Sequence, residues 1–187
     1  MKASRTVLAL AMLAGSGCRP ASRGRSLHEL IAEDIAPRVA SAWELSPKEA
    51  APGRLLSDCE FKGIDLNGDG VAEVVVKVNL YAECRGGQKH NIVRSAHGSG
   101  DFCIYTVTGR RPKLIGHMQG DSWSLLASRS HGYADLRTYS HWAATEGSVG
   151  IYSYSGGKYK LKSNGLYDFS GPRPRLIEQL KKQEPPK

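Results

Sequence analysis

The sequence predicts a mainly β protein of the α+β class, a small antiparallel β domain with an N-terminal helix packed on it. Near the N-terminus apolar residues recur at helical spacing, whereas after Leu55 apolar and polar residues alternate with the period of two that is typical of strands. The chain has 187 residues, of which 40% are hydrophobic and 24% charged. This composition indicates one globular domain and argues against a disordered or membrane-spanning chain.

The first eighteen residues have the pattern of an export signal. Lys2 and Arg5 make the start basic, residues 7–14 form a short apolar run, and small residues precede Cys18. The apolar run is much shorter than the ~20 residues that a membrane-spanning helix requires. We therefore interpret residues 1–17 as a leader that is absent from the mature protein.

The string LAGSGC, which ends at Cys18, resembles the lipobox of bacterial lipoproteins. The resemblance implies that Cys18 is acylated. Because Arg19 follows it in place of aspartate, the resemblance also implies an outer-membrane lipoprotein facing the periplasm or the cell surface. The alternative is an ordinary secretory peptide, which would give a soluble periplasmic or secreted protein.

A helical segment is predicted over residues 26–52, after a polar tether at residues 18–25. Ser26 and Glu29 have the spacing of a capping box, which marks a helix start. Pro37 is expected to kink or restart the helix. The apolar residues on its core-facing side are Leu27, Leu30, Ile31 and Ile35.

The β domain is predicted over residues 53–169. Pro47 and Pro52 are expected to end helical structure before it. Alternation over residues 74–80 predicts a strand with one face thoroughly buried. Beyond the β domain, residues 170–187 are predicted to form a basic C-terminal tail with a short helix.

Two hairpins are predicted within the β domain. Residues 102–108 are expected to pair with residues 113–118. The glycine pair at 156–157 suits a two-residue turn, and that turn sets Tyr154 opposite Tyr159 on an apolar face. Each hairpin shares a tyrosine-bearing pattern, which indicates two related units, with chance similarity as the alternative.

The sharpest motif is the segment DLNGDGVAE, from Asp65 to Glu73. Oxygen donors at alternate positions around a glycine turn are how a loop wraps Ca²⁺. The candidate ligands are Asp65, Asn67, Asp69, the carbonyl of Val71 and Glu73. An EF-hand would need glutamate at its twelfth position, where Val76 stands inside a predicted strand. The alternative is an Asx-rich turn without metal.

In this form the segment resembles the calcium loops of FG-GAP and VCBS-type repeats, in which such a loop precedes an apolar strand. The match covers residues 61–78. The resemblance implies an extracytoplasmic, non-enzymatic module with structural Ca²⁺, built here from two propeller-blade-like hairpin units. Two units cannot close a propeller of about four to eight blades, so a small standalone sheet is expected.

Three cysteines remain beside Cys18, and they allow one disulfide with three possible pairings. We favour Cys84 with Cys103, because these cysteines bracket the glycine-containing stretch of residues 85–102. Closing a loop of roughly that size contributes about 3 kcal/mol to stability in the chain-entropy model. Cys59 is then expected to be a buried thiol.

The charge of the mature chain is mildly basic, since 24 of the 26 basic residues remain against 18 acidic ones after loss of the leader. The cations are scattered and no nucleic-acid motif accompanies them, so nucleic acid is not an expected partner. We expect a binding or structural module whose partner is another envelope protein or an anionic polymer. Its membrane contact is expected through the lipid anchor only. Trp123 and Trp142 are candidates for an exposed aromatic platform.

The competing interpretation is a periplasmic hydrolase. Its acids would be Glu73 and Asp135, if the two hairpin units face each other, or its nucleophile would be an unpaired cysteine.

Overall fold

The computed structural model describes residues 24–79, 100–109 and 111–180, and the backbone alone of residues 81–83 and 89–91. Cys18 and Cys84 lie outside the described residues. The elements are α1 (Leu27–Ala42), α2 (Pro52–Asp58), β1 (Glu60–Ile64), β2 (Glu73–Val78), β3 (Tyr81–Glu83), β4 (Lys89–Asn91), β5 (Gly100–Thr108), β6 (Arg111–Gly120), β7 (Ser122–Ser130), β8 (Tyr133–His141), β9 (Glu146–Ser155), β10 (Lys158–Asp168) and β11 (Arg175–Leu180).

Two antiparallel sheets form the body of the protein. The first sheet has the strand order β1-β2-β5-β6, the second has the order β11-β10-β9-β8-β7, and β3 pairs with β4. The prediction of a mainly β protein with an antiparallel β domain is therefore confirmed. The two predicted hairpin units fall into different sheets, since β5 and β6 belong to the first and β9 and β10 to the second.

The first sheet is buried on both faces. Val74 and Val76 of β2 pack in one core with helix α1, whereas Val75, between them, packs in a second core with side chains of the other sheet. Successive side chains of a strand point to opposite faces, so a strand between two apolar layers must be apolar at every position. The alternation over residues 74–80 predicted only one buried face for this strand.

Helix α1 begins at Ser26, as predicted. The backbone N–H of Glu29 donates to Ser26 Oγ at 3.2 Å, and the Glu29 carboxylate accepts from the Ser26 N–H. Contrary to expectation, the helix runs unbroken through Pro37. Its buried side chains are Ile31, Ala32, Ile35, Ala36 and Val39, and they pack on the first sheet. Within the described residues, no helix has the length and apolarity needed to cross a membrane.

The prediction that Pro52 ends helical structure is wrong, because Pro52 is the first residue of α2. The first helical position needs no N–H donor and suits the fixed φ of proline. Helix α2 contributes Leu55, which is fully buried in the core with α1.

Both predicted hairpins are confirmed. In β9 and β10 the register places Tyr154 opposite Tyr159 across the turn, where Gly156 and Gly157 have φ of 60° and 81°. A primed turn needs positive φ at both central residues, so glycine is favoured there. The other hairpin joins β5 to β6 with Phe102 opposite Met118.

The predicted helix in the C-terminal tail is a strand instead. Residues 175–180 form β11, which pairs with β10 through a bulge at Leu166/Tyr167. A helix this short is marginal in water. The free edge of β10 offers backbone partners along its length, and the strand uses them.

Candidate functional site

The loop from Asp65 to Glu73 joins β1 to β2, so it leads into a strand as the sequence predicts. The Asp65 carboxylate accepts hydrogen bonds from the N–H groups of Gly68 at 2.6 Å and Gly70 at 2.9 Å. The N–H of Gly70, with other loop amides, lowers the pKa of Asp65. Gly68 and Gly70 have φ of 80° and 84°, a region that favours glycine.

The other predicted side-chain ligands of the loop also accept hydrogen bonds from the chain itself. Asn67 Oδ1 accepts from the Asp69 N–H at 2.9 Å, and Asp69 Oδ1 accepts from the Val71 N–H at 2.7 Å. Asn67 Nδ2 donates to Asp69 Oδ2 at 2.8 Å. Glu73 is turned inward, is only 2% exposed, and accepts from the Leu66 N–H at 2.8 Å. Burial raises the pKa of Glu73, and Asp69 raises it further.

Only some of the predicted ligands in the loop are placed to bind Ca²⁺. The side-chain oxygens of the exposed Asp65 and Asp69 and of the half-buried Asn67 are the hard donors that Ca²⁺ prefers, and they belong to one tight turn. Glu73 does not join them, since its carboxylate braces the base of the loop. Over the described residues, no three acidic, histidine or cysteine side chains are grouped as a metal site. Calcium binding by this loop stays a prediction.

The structure brings Glu73 and Asp135 to the same cluster, around Tyr159. Burial raises the pKa of Tyr159, and the charges of Glu73 and Asp135 raise it further. The Tyr159 hydroxyl donates to the Ala134 carbonyl at 2.9 Å, and the ring of Tyr154 lies edge-on to it. The cluster is therefore packed with aromatic rings.

Asp135 itself is 3% exposed and accepts from Ser128 Oγ at 2.8 Å. Burial raises its pKa, but the neighbouring hydroxyl groups of Ser130, Ser128 and Ser153 outweigh burial and the net pKa is lowered. A carboxylic acid catalyst must reach its substrate and, for protonation of a leaving group, have a raised pKa. Neither carboxylate is accessible, so this arrangement suits packing better than hydrolysis.

The described cysteines, Cys59 and Cys103, are buried and form no disulfide with each other. Burial raises the pKa of Cys59 to about 11 and that of Cys103 to about 12, which opposes the thiolate form that a nucleophile needs. Strand β2 separates the two, because Cys59 precedes β1 whereas Cys103 lies on β5. Two strand spacings of about 4.8 Å exceed the reach of a disulfide. The predicted bridge from Cys103 to Cys84 stays a prediction, since Cys84 lies outside the described residues.

A second buried acid connects α1 to the first sheet. Asp101 of β5 accepts from the indole Nε1 of Trp43 at 2.9 Å, and Nε2 of the half-exposed His117 lies 3.2 Å from its other oxygen. Burial raises the pKa of Asp101, but His117 and Trp43 more than offset burial and the net pKa is lowered. The carboxylate ties the end of α1 to β5 and β6.

A cleft of about 660 Å³ lies on the outer face of the second sheet, the face turned away from the first sheet. Arg137 and Tyr139 of β8 point into it, because their neighbours Leu136 and Thr138 are buried on the opposite face. Its lining residues are Ser122, Trp123, Ser124, Leu126, Arg137, Tyr139, Val149, Ile151, Tyr167, Phe169 and Pro174.

The aromatic rings of the cleft are held in position by contacts with one another and by close packing on a glycine. Phe169 packs edge-on against Tyr139 with ring centroids 5.2 Å apart, and it also contacts Tyr167. A side chain at Gly147 would stand 2.6 Å from Tyr139 Cε2, so the ring lies across this glycine. The rings form one continuous apolar wall.

Only part of this cleft was predicted from the sequence. Trp123 lines it, as a platform would require, but also packs against the inner core, and Lys62 Nζ lies 5.4 Å from its ring centroid. Trp142 is 43% exposed and is not among the lining residues. Arg137 and Tyr139 were missed, although their alternation with buried neighbours in β8 is a usable signal.

Comparisons of the chain with protein-family models, with curated proteins and with solved structures find no match.

Proposed function

We propose that this protein is a lipid-anchored binding module of the bacterial cell envelope. In this proposal Cys18 carries the anchor, residues 18–25 hold the domain off the membrane, and the loop from Asp65 to Glu73 binds a structural Ca²⁺. The domain engages an anionic envelope polymer through the cleft on its second sheet.

The cleft is the observation that carries the proposal. It combines an apolar aromatic wall with a few convergent polar groups, which is typical of ligand-binding sites. Its volume falls within the range of about 300–1,000 Å³ that such sites have. The candidate catalytic groups elsewhere are enclosed: Glu73, Asp135 and Cys103 are all buried. Binding therefore accounts for the geometry better than hydrolysis does.

Co-sedimentation of the full chain carrying Cys18→Ala, which removes the lipid anchor, with isolated bacterial envelopes tests the binding function of the cleft. We expect this anchor-free protein to sediment with the envelopes when its cleft is wild type. The double variant Tyr139→Ala/Phe169→Ala should be released at least tenfold more readily, because it loses the aromatic wall. Lys158→Ala is the matched control, since Lys158 is exposed at the start of β10 and is not among the lining residues of the cleft. Equal sedimentation of wild type and double variant, with both folded by circular dichroism, would contradict the proposal.

Membrane fractionation tests the anchor separately. The Cys18→Ala variant should move from the membrane to the soluble fraction, because the acyl chains would be absent. Unchanged fractionation would contradict lipidation and leave the binding function to be judged by the cleft variants.

A further inference from the structure

Among the described residues that line the cleft on the second sheet, Arg137 is the only cation. Its Nε donates to Ser124 Oγ at 3.2 Å, which fixes the guanidinium in place across the β7–β8 pair. Among the ion pairs of the described residues, none includes Arg137. By contrast, Arg175 on the same sheet is neutralised by Asp168 at 3.0 Å. The cleft therefore holds a positioned positive charge that no acidic side chain of the described residues pairs.

From this arrangement we infer that the ligand of the cleft is an acidic saccharide whose carboxylate pairs with Arg137 and whose sugar ring lies against the aromatic wall. The inference rests on the proposed binding function and names the ligand class for that same site. A guanidinium presents paired N–H donors that match the two oxygens of a carboxylate.

The rest of the lining fits a sugar better than the other ligand classes. A sugar ring has an apolar C–H face that packs on aromatic side chains and hydroxyl groups that need hydrogen-bond partners, for which Ser122 and Ser124 are placed. A wholly apolar ligand would cover Arg137 without pairing it, which is costly. A nucleic acid would require a row of cations for its phosphates, whereas the described lining of the cleft supplies one.

A pair of matched probes tests the inference. The first probe is an oligogalacturonate, and the second is the same oligosaccharide with its carboxylates reduced to alcohols. By isothermal titration calorimetry, the wild-type chain should bind the acidic probe at least tenfold more tightly than the reduced one. Arg137→Gln should bind the two probes with equal, weaker affinity. Lys158→Gln removes an exposed cation outside the cleft and should retain the wild-type preference.

The outcomes separate the inference from the proposed function. Equal binding of both probes by the wild type, or an unchanged preference in Arg137→Gln, would overturn the acidic-saccharide inference and leave the binding function standing. Envelope co-sedimentation that requires the aromatic wall, without binding of either probe, would overturn the inference in the same way. If the chain binds neither probe and its co-sedimentation with envelopes does not depend on the aromatic wall, the proposed function is overturned as well. Arg137 is exposed, so its variant should melt with the wild type, and a matching melting curve confirms that the variant is folded.

Discussion

Gly147 shows how a single missing side chain shapes the cleft. A Cβ built on this residue would meet Tyr139 Cε2 at 2.6 Å and the backbone carbonyl oxygen of Ser140 at 2.7 Å. The ring can rotate away, but the carbonyl belongs to the β8–β9 strand pair and has little freedom. Glycine is therefore required here by close approach, and the position of the Tyr139 ring depends on it.

Replacing Gly147 by alanine should destabilise the protein by about 1–3 kcal/mol, the usual cost of forcing extra atoms into a packed site. Thermal unfolding of the two proteins measures the difference. Gly53→Ala is the control: nothing lies within 4 Å of its Cβ position, and it stands in helix α2. Alanine there should stabilise by about 0.5–1 kcal/mol. A Gly147→Ala protein as stable as the wild type would refute the packing argument.

Asp101 contributes stability that depends on pH. Its pKa is lowered in the folded protein by His117 and Trp43, which outweigh burial. A lowered pKa means that folding favours the ionised form, so the contribution is present above the unfolded pKa of about 3.9 and is lost as pH falls through the folded pKa.

The Asp101→Asn variant should therefore be less stable than the wild type at pH 7, by about 1–3 kcal/mol for a buried hydrogen-bonded group. The difference should shrink as the pH falls below about 4, because the unfolded wild-type chain then takes up a proton that the folded Asp101, with its lowered pKa, still resists. Urea unfolding between pH 3 and pH 7 measures the difference. A gap that stays constant over this range would show that the charge of Asp101 is not what stabilises the junction.

At the scale of elements, the loop before β2 can be tested for calcium without removing its turn. Asp69→Asn keeps an oxygen for the Val71 N–H but removes one charge. In chelator the variant should melt close to the wild type. With calcium at 100 times its dissociation constant, the wild type should gain about 2.7 kcal/mol and the variant less. Asp121→Asn is the control, because Asp121 also accepts from a backbone N–H but lies in the β6–β7 turn. If the wild type melts at the same temperature in calcium and in chelator, calcium binding by this loop is contradicted.

Elements with strong local signals were predictable from the sequence. The β9–β10 hairpin has a glycine pair and clean alternation, so its turn and its Tyr154–Tyr159 register could both be predicted. Strand β11 could not, because the six residues from Arg175 carry no decisive period and their state is set by the free edge of β10. The cleft depends on tertiary contacts, since Phe169, just after β10, meets Tyr139 of β8 only once β8, β9 and β10 have paired.

At the scale of the whole molecule, the first sheet joins two cores. Helix α1 packs on one of its faces and the second sheet on the other, so β2 and β5 contribute to both. If helix α1 or the second sheet detached, apolar side chains of β2 and β5 would be exposed, and these strands also form the core with the other layer. This shared sheet should make the described layers unfold together.

Two core variants test that coupling from opposite sides. Ile35→Ala removes a 1% exposed side chain beneath α1, and Leu136→Ala removes a fully buried one beneath the second sheet. Each should cost about 2–5 kcal/mol. Each should also shift one common transition, seen alike by circular dichroism and by tryptophan fluorescence, since Trp43 packs in the first core and Trp123 in the second. Leu56→Ala, at a site 37% exposed, should have a much smaller effect. Two separated transitions, each sensitive to one variant only, would mean that the sheet does not couple the layers.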